Sequence, residues 1–418
     1  MGCGRQPALG PSKGERLYRA SRRNRSQRVA LRLTGTRAAV TLQTMSTFAV
    51  ISDPHVTVPN PDTGWTPPAI DHEPTMYAQS VELLEAAITE IDALPEVDFV
   101  LVPGDLTKDS EPYNHHRVRE LLTRFRKPVF CVSGNHDQPR PAKLRPLEFL
   151  DPDVSPVRTA DIPRLYGDFG FTDTQRTAYS CNPTPDIHLI GLCSPKLDED
   201  RGFITPEILA WLDDDLTRHA NHGREPIVML HHSIIEHVPG ESVNPTFSWF
   251  HVENAPALKA ILQRHGVRIT LTGHLHIQDV KEEQGLHNIV TASLAGYPHA
   301  YRLMTLRDGA LDVRSRRLQS IPSLPDLQAA SRRHTEDFFV GVLRHTLVAR
   351  PFEYSRDRAA EVAEKLRDWW PTIAEGDEQF AYAEAHLGDA VLAAYVNSFS
   401  DRPPPDNDFR IELGRRKR

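Results

Sequence analysis

Residues 129–137 read Val-Phe-Cys-Val-Ser-Gly-Asn-His-Asp. An apolar run of strand length ends there in a turn that carries an amide, an imidazole and a carboxylate. Four other apolar runs end in similar polar residues, namely Asp53 with His55, Asp105, His231, and His274 with His276. Because such runs are typical of buried strands, we predict that each strand delivers these side chains just past its end.

Amphipathic helices are predicted between the first three of these strands. Apolar residues recur at spacings of three and four at Tyr77, Val81, Leu84, Ile88 and Ile91. A second helix is predicted from Val118, Leu121, Leu122 and Phe125. Strands alternating with helices indicate an α/β layered fold, and turn residues within 289–313 suggest closing antiparallel strands.

The character of the chain changes after about residue 320. Prolines mark the boundary, and residues 326–348, 356–370 and 377–398 are predicted to form helices. We therefore expect a domain over 45–320 and a helical C-terminal extension over 321–418. Two roles remain open for the extension, a cap that selects substrate or a surface that joins two subunits in a homodimer.

The charge is distributed unevenly. Residues 1–44 hold ten basic side chains and one acid, which gives this segment a net charge of +9. Because the net charge of the whole chain is −7, the remaining residues carry −16. We interpret residues 1–44 as a disordered basic leader or as sequence upstream of a true start at or near Met45. A chain with this net negative charge is poorly suited to dock on a nucleic-acid polymer, which makes action on such a polymer the weaker hypothesis.

Composition excludes several classes of protein. No apolar run approaches the roughly 18 residues needed to span a membrane. The four cysteines are widely spaced without a paired C-x-x-C, so they do not indicate a zinc or redox motif. Buried free thiols favour a reducing compartment, and we predict a cytoplasmic protein.

The polar strand ends predict a metal centre. Ligands of open α/β sheets bind beyond the carboxyl ends of the strands, where residues distant in sequence meet. Imidazole, carboxylate and amide donors together suit manganese, iron or zinc better than magnesium or calcium. Seven candidate ligands are too many for one such ion but enough for two ions that share a carboxylate, an arrangement suited to displacement at phosphorus.

The five motifs in this order resemble the calcineurin-like metallophosphoesterase family, a four-layer αββα sandwich. The similarity is greatest to the bacterial branch with class III cyclic nucleotide phosphodiesterases and glycerophosphodiesterases. It covers about residues 47–318 and includes Leu106-Thr107, Gly202 and Trp211-Leu212.

The resemblance implies a role for each candidate ligand. The first metal would be bound by Asp53, His55, Asp105 and His276. The second metal would be bound by Asp105, Asn135, His231 and His274. A hydroxide bridging the two ions would then attack phosphorus.

Neighbouring residues are predicted to assist. His136 is placed to protonate the leaving alkoxide or hold the phosphate, and Asp137 to orient the ring of His136. Strand alternation turns His231 and His232 to opposite faces, which leaves His232 as a support behind the ligands or as a substrate contact. Arg140 is a further candidate for binding the substrate phosphate.

The sequence therefore predicts a dimetal phosphodiesterase acting on a small organic phosphodiester, such as a cyclic nucleotide or a glycerophosphodiester. The same metal core serves phosphomonoesterases, which is the first alternative. A non-catalytic scaffold of the same fold is a second alternative, although no ligand position is replaced.

Overall fold

A computed structural model describes residues 45–68, 73–139, 149–197, 199–243, 247–401 and 403–414. The predicted leader, residues 1–44, and the predicted phosphate contact Arg140 lie outside the described residues. Both therefore stay predictions.

Strands form where the sequence shows short apolar runs. Those in the described residues are β1 (Met45–Val50), β2 (Phe99–Val102), β3 (Val129–Cys131), β4 (Ala178–Cys181), β5 (Ile187–Leu192), β6 (Glu225–Met229), β7 (Ile269–Thr272), β8 (Asp279–Glu283), β9 (Leu286–Val290), β10 (Ala300–Arg307), β11 (Ala310–Arg317) and β12 (Asp408–Glu412).

These strands make two six-stranded sheets. The first has the order β12-β11-β10-β1-β2-β3, and the second has the order β4-β5-β6-β7-β9-β8. Strands β1, β2 and β3 are parallel, as are β5, β6, β7 and β9, so their carboxyl ends share one edge of each sheet. Antiparallel strands complete both sheets.

Most helices in the described residues begin where prolines, capping residues or acidic first turns favour them. They are α1 (Ser80–Asp92), α2 (Pro112–Thr123), α3 (Ile162–Leu165), α4 (Pro206–His219), α5 (Ala255–Arg264), α6 (Leu327–Val348), α7 (Arg356–Lys365), α8 (Trp369–Glu375), α9 (Glu384–Leu387) and α10 (Ala390–Asn397).

Strand alternation sorts the apolar side chains between layers. Ile227 and Met229 of β6 lie in the apolar cluster that the second sheet shares with the first. Val228 and Leu230 point the other way and cluster with Leu212 of α4. The first sheet is covered in the same manner by α1 and α2. Two sheets packed face to face with helices outside confirm the predicted α/β class.

The C-terminal segment is more varied than the three predicted helices. The predicted second helix ends early at Lys365, and a separate helix α8 follows. The predicted third helix is interrupted at Gly388, which has the left-handed conformation that ends helices. Strand β12 pairs with β11 and was not predicted, although its buried residues Phe409 and Ile411 show the alternation of an edge strand.

The boundary predicted at residue 320 stays a prediction. Residues Thr44–Arg418 form a single compact unit, and β12 returns the chain to the first sheet. None of the helices in the described ranges is both long and apolar enough to cross a membrane.

Candidate metal centre

The candidate ligands lie past the carboxyl ends of parallel strands. They are Asp53 and His55 after β1, Asp105 after β2, Asn135 after β3, His231 after β6, and His274 and His276 after β7. Main-chain hydrogen bonds join the loops that carry them. The amide of Asp53 donates to the carbonyl of Gly104 at 3.3 Å. The amide of Gly273 donates to the carbonyl of His231 at 3.1 Å, which joins the loops after β6 and β7 of the second sheet.

The first cluster contains Asp53, His55, Asp105 and His276. One ligand atom from each lies within 4.8 Å of the others. Nε2 of His276 is 3.3 Å from Oδ1 of Asp53 and 3.2 Å from Nε2 of His55. Two imidazole nitrogens that face each other beside a carboxylate need a proton or a cation between them.

The second cluster contains Asp105, His231 and His274, again with ligand atoms within 4.8 Å of one another. Oδ1 of Asn135 lies 3.1 Å from Nε2 of His231, so the amide oxygen joins this group. Nδ1 of His231 donates to the carbonyl of Pro103 at 2.8 Å, which leaves Nε2 for the cluster.

Asp105 belongs to both clusters. Its Oδ2 lies 3.7 Å from Nε2 of His55 and 3.3 Å from Nε2 of His231. One carboxylate between two groups of nitrogen donors is the geometry expected of a bridging ligand.

The backbone at this edge is strained. Five candidate ligands have positive φ, namely Asp53 (49°), His55 (43°), Asp105 (48°), His274 (69°) and His276 (57°). Each such residue costs roughly 1–3 kcal/mol and persists only where the surrounding structure holds it. Backbone strain of this kind is concentrated at functional sites, so it supports a functional role for this cluster of polar residues.

Two glycines are needed for the close approach of these loops. A Cβ on Gly134 would lie 2.7 Å from Cγ of Asp105. A Cβ on Gly273 would overlap the side-chain oxygens of Ser52 and Asp53. Gly134 and Gly273 come directly before the candidate ligands Asn135 and His274, and a side chain at either position has no room.

Burial and neighbouring charge determine the protonation of the cluster. Burial raises the pKa of Asp105, but the imidazoles of His231 and His136 outweigh it and hold the pKa well below its usual range. Burial lowers the pKa of His231, but the carboxylates of Asp105 and Asp53 raise it to about 9. Burial lowers the pKa of His55 to about 4 against the pull of Asp105, so this imidazole is neutral.

The donor set fits divalent transition ions. Nε2 of His55 and Nε2 of His276 both face carboxylates of the first cluster. Neutral imidazoles, two carboxylates and an amide oxygen are the ligands that manganese, iron and zinc accept. Because metal binding requires unprotonated imidazole, an ion at the second cluster would displace the proton from His231.

His136 lies at the edge of the first cluster and is 13% exposed. Its ring packs edge-on against His55 with centroids 4.7 Å apart. Its Nδ1 faces the carbonyl of Lys108 and lies 3.7 Å from Oδ1 of Asp109. The ring is therefore oriented through Nδ1.

Asp137 was predicted to orient that ring, and the structure gives it different contacts. Its carboxylate accepts hydrogen bonds from the amides of Leu106, Thr107 and Gly134 at 2.8 to 2.9 Å. It also accepts one from the hydroxyl of Thr107 at 2.9 Å. Asp137 thus ties the β3 loop to the β2 loop, and the carboxylate beside His136 is that of Asp109.

His232 is fully buried behind the ligands. Its Nδ1 shares a hydrogen bond of 2.8 Å with Oγ of Ser194, and its Nε2 donates to the carbonyl of Asp200 at 2.8 Å. Its ring lies 4.5 Å from that of His274. With both nitrogens engaged, the position favours the predicted supporting role over the predicted substrate contact.

Three residues beside the centre were not predicted. Asp109 follows Asp105 in the same loop, and this short spacing was an available signal. Asp200 lies 3.4 Å from Nδ2 of Asn135. The carbonyl of Trp249 lies 3.2 Å from Nε2 of His274. Nothing in the local sequence distinguishes Asp200 or Trp249, because their loops meet the centre only in the folded chain.

The sequence is similar to known proteins over this part of the chain. The family model described as calcineurin-like phosphoesterase matches residues 46–278. A 3',5'-cyclic-nucleotide phosphodiesterase of Nostoc sp. is 24% identical over 203 residues, which are 48% of this chain and 63% of that protein. The match therefore spans less than two thirds of this relative.

Other relatives have related names. A 3',5'-cyclic adenosine monophosphate phosphodiesterase of Haemophilus influenzae is 26% identical over 56% of this chain and 79% of its own length. A glycerophosphodiester phosphodiesterase of Enterobacter lignolyticus is 25% identical over 45% of this chain and 60% of its own length. Among solved structures, a dimetal phosphatase from Danio rerio has a TM-score of 0.48 and 16% identity, covering 65% of this chain and 96% of that one.

Proposed function

The chain belongs to the calcineurin-like phosphoesterase family, and we propose that it is a dimetal phosphodiesterase of small organic phosphodiesters. The observation that carries the proposal is the pair of ligand clusters that share Asp105. The relatives named as cyclic nucleotide and glycerophosphodiester phosphodiesterases support a diester as substrate.

Each cluster would hold one ion of manganese, iron or zinc. The proposed ligands of the first are Asp53, His55, Asp105 and His276, and those of the second are Asp105, Asn135, His231 and His274. Two such ions supply a hydroxide nucleophile near neutral pH and neutralise negative charge on the phosphoryl oxygens. The protein's part is to hold the donors in place, which the interlocked loops and the buried carboxylate of Asp105 do.

His136 would protonate the leaving alkoxide. Nδ1 of its ring faces the carbonyl of Lys108, with Asp109 nearby, and these contacts orient the ring. Nε2 is then the proton donor to the substrate oxygen. The edge-on packing against His55 keeps this donor beside the first cluster.

The charge of the chain supports a small substrate. Because residues 45–418 carry a net charge of −16, long-range electrostatic repulsion opposes the approach of a nucleic-acid polymer. A compact phosphodiester with one negative charge meets a weaker barrier. A cytoplasmic location, predicted from the cysteines, is part of the same proposal.

A substrate screen tests the function. The protein, reconstituted with Mn²⁺, is compared on bis-p-nitrophenyl phosphate and p-nitrophenyl phosphate, then on cyclic nucleotides and glycerophosphodiesters. We expect faster hydrolysis of the diester in the first comparison. A clear preference for the monoester would favour a phosphomonoesterase with the same centre. No activity after metal reconstitution would favour the non-catalytic scaffold.

A further inference from the structure

The loop that carries His274 and His276 is packed on the C-terminal segment. The residues that alternate with these histidines, Leu275 and Ile277, are 2% and 1% exposed. Both belong to one apolar cluster with side chains of α6 to α10, including Trp369 of α8. The face of the loop opposite the ligands is therefore covered by the segment after residue 320.

Main-chain contacts reinforce this packing immediately after His276. The amide of Gln278 donates to the carbonyl of Ala374 at 3.2 Å. Gly376, which follows α8, packs directly on the main chain of this loop. A Cβ on Gly376 would lie 2.6 Å from the carbonyl oxygen of Gln278. The amide of Val280 donates to Oδ1 of Asp406 at 2.9 Å, which ties the start of β8 to the same segment.

A second connection reaches His274 from the side. The ring of Phe250 lies 5.0 Å from that of His274 and belongs to the same apolar cluster. Phe247 contacts Phe399, which follows α10, with ring centroids 6.3 Å apart. The loop before α5, whose Trp249 carbonyl lies next to Nε2 of His274, is thus also supported by the C-terminal helices.

We propose that the C-terminal segment positions His274 and His276 and thereby sets the affinity of both metal ions. Both histidines have the left-handed backbone conformation, which is held only if neighbouring structure prevents relaxation. In this chain that structure is α8, Gly376 and the surrounding cluster. These are positioning residues, and the inference rests on the metal centre proposed above.

The coupling has to act in both directions. If the C-terminal segment favours the metal-binding conformation of the loop, a bound ion favours the packed conformation of the segment by the same free energy. Metal binding should therefore slow the opening of α8, which lies outside the ligand clusters. A purely structural extension would show no such response.

A pair of glycine variants tests the proposal. Gly376 and Gly388 both follow short helices of the segment and have positive φ, but ψ is 167° at Gly376 and 20° at Gly388, so Ala carries more backbone strain at Gly376. Only Gly376 abuts the metal loop, since the nearest atom to a Cβ on Gly388 is Nη2 of Arg358 at 3.6 Å. We expect Gly376→Ala to raise the Kd for Mn²⁺ by about ten-fold or more, and Gly388→Ala to leave it nearly unchanged.

The readouts are Mn²⁺ titration by calorimetry, metal content after dialysis, and the melting temperature of the metal-free chains. A Kd that rises only in Gly376→Ala, in a chain whose melting curve shows that it is folded before metal is added, would support positioning. Equal Mn²⁺ affinity in the two variants would overturn it. If the unaltered protein binds no Mn²⁺ at all, the metal centre itself fails and the coupling falls with it.

Amide hydrogen exchange of the unaltered full chain keeps the proposal testable if Gly376→Ala does not fold. We expect saturating Mn²⁺ to slow exchange in Trp369–Glu375 as well as in the ligand loops. Slower exchange in the ligand loops alone would show that metals bind without the coupling, and would contradict the inference.

Discussion

The amide of His136 donates a hydrogen bond of 2.9 Å to Oδ1 of Asp105. The proposed proton donor and the proposed bridging ligand are therefore held together by the main chain. Oδ2 of the same carboxylate faces the histidines of both clusters. The bond to Asp105 is made by the main chain of His136 and not by its imidazole. Substitutions of the two side chains can therefore test catalysis and metal binding separately.

Replacing His136 with Ala should remove the proton donor and keep the ions. The main-chain bond to Asp105 does not depend on the side chain, so metal content should stay at two ions per chain. We expect turnover of an alkyl phosphodiester to fall by about 10²- to 10⁴-fold, with a smaller loss on bis-p-nitrophenyl phosphate, whose leaving group needs no proton.

Steady-state rates and metal analysis check this prediction. His345→Ala is a suitable control, because His345 is an exposed histidine of α6 that bonds only its own helix among the described contacts. An unchanged rate on the alkyl diester would refute the role given to His136.

Asp105→Asn should weaken both ion sites at once. Asn has the shape of Asp but lacks the negative charge that offsets two cations. Loss of residues that merely orient ligands costs about 10- to 100-fold in metal affinity, and we expect at least that much here. Metal content after dialysis is the measurement, and Asp173→Asn, which removes an exposed carboxylate paired with Arg176, is the control. Retention of two ions would contradict a bridging position.

Gly134→Ala should damage the fold and the centre together. The added Cβ would overlap the carboxylate of Asp105, so the β2 and β3 loops have to separate. Overpacking of this kind costs about 1–3 kcal/mol, and we expect a lower melting temperature and weaker Mn²⁺ binding. Gly167→Ala is the matched control, because a Cβ there meets no atom within 4 Å. Equal behaviour of the two variants would show that the loops tolerate the added methyl group.

Glu378→Gln should change the pH dependence of stability. Burial, and then the carboxylates of Asp279 and Asp401, raise the pKa of Glu378 from 4.5 to about 8. Between these values the folded chain keeps a proton that the unfolded chain loses, so this group makes stability fall as pH rises. Glu378→Gln does not lose stability in this way as pH rises. The melting temperature of the variant minus that of the unaltered protein should therefore be larger at pH 8 than at pH 5.

Thermal melts across this pH range measure the difference. Glu96→Gln alters an exposed glutamate and should follow the unaltered protein at every pH. If the Glu378→Gln curve runs parallel to that of the unaltered protein, Glu378 is ionised in the fold and the assignment is wrong.

The sequence by itself determined the α/β class, the family and the identity of the candidate ligands. The candidate ligands come within a few residues of the ends of apolar runs, and the parallel strands of one sheet bring their carboxyl ends to one edge. Local pattern was therefore sufficient to predict that Asp53 and Asp105 lie close together, whereas His231 follows a strand of the second sheet. Gly134 and Gly273 directly precede Asn135 and His274 in the sequence, where the close approach of loops leaves no room for a Cβ.

Only the tertiary structure decided which neighbours support the ligands. Asp137 is adjacent to His136 in sequence, yet its carboxylate bonds the amides of another loop, and Asp109 lies beside the ring instead. The packing of Leu275 and Ile277 on the C-terminal helices joins segments about a hundred residues apart in the printed sequence. Such contacts depend on how surfaces fit after folding, and no local periodicity encodes that fit.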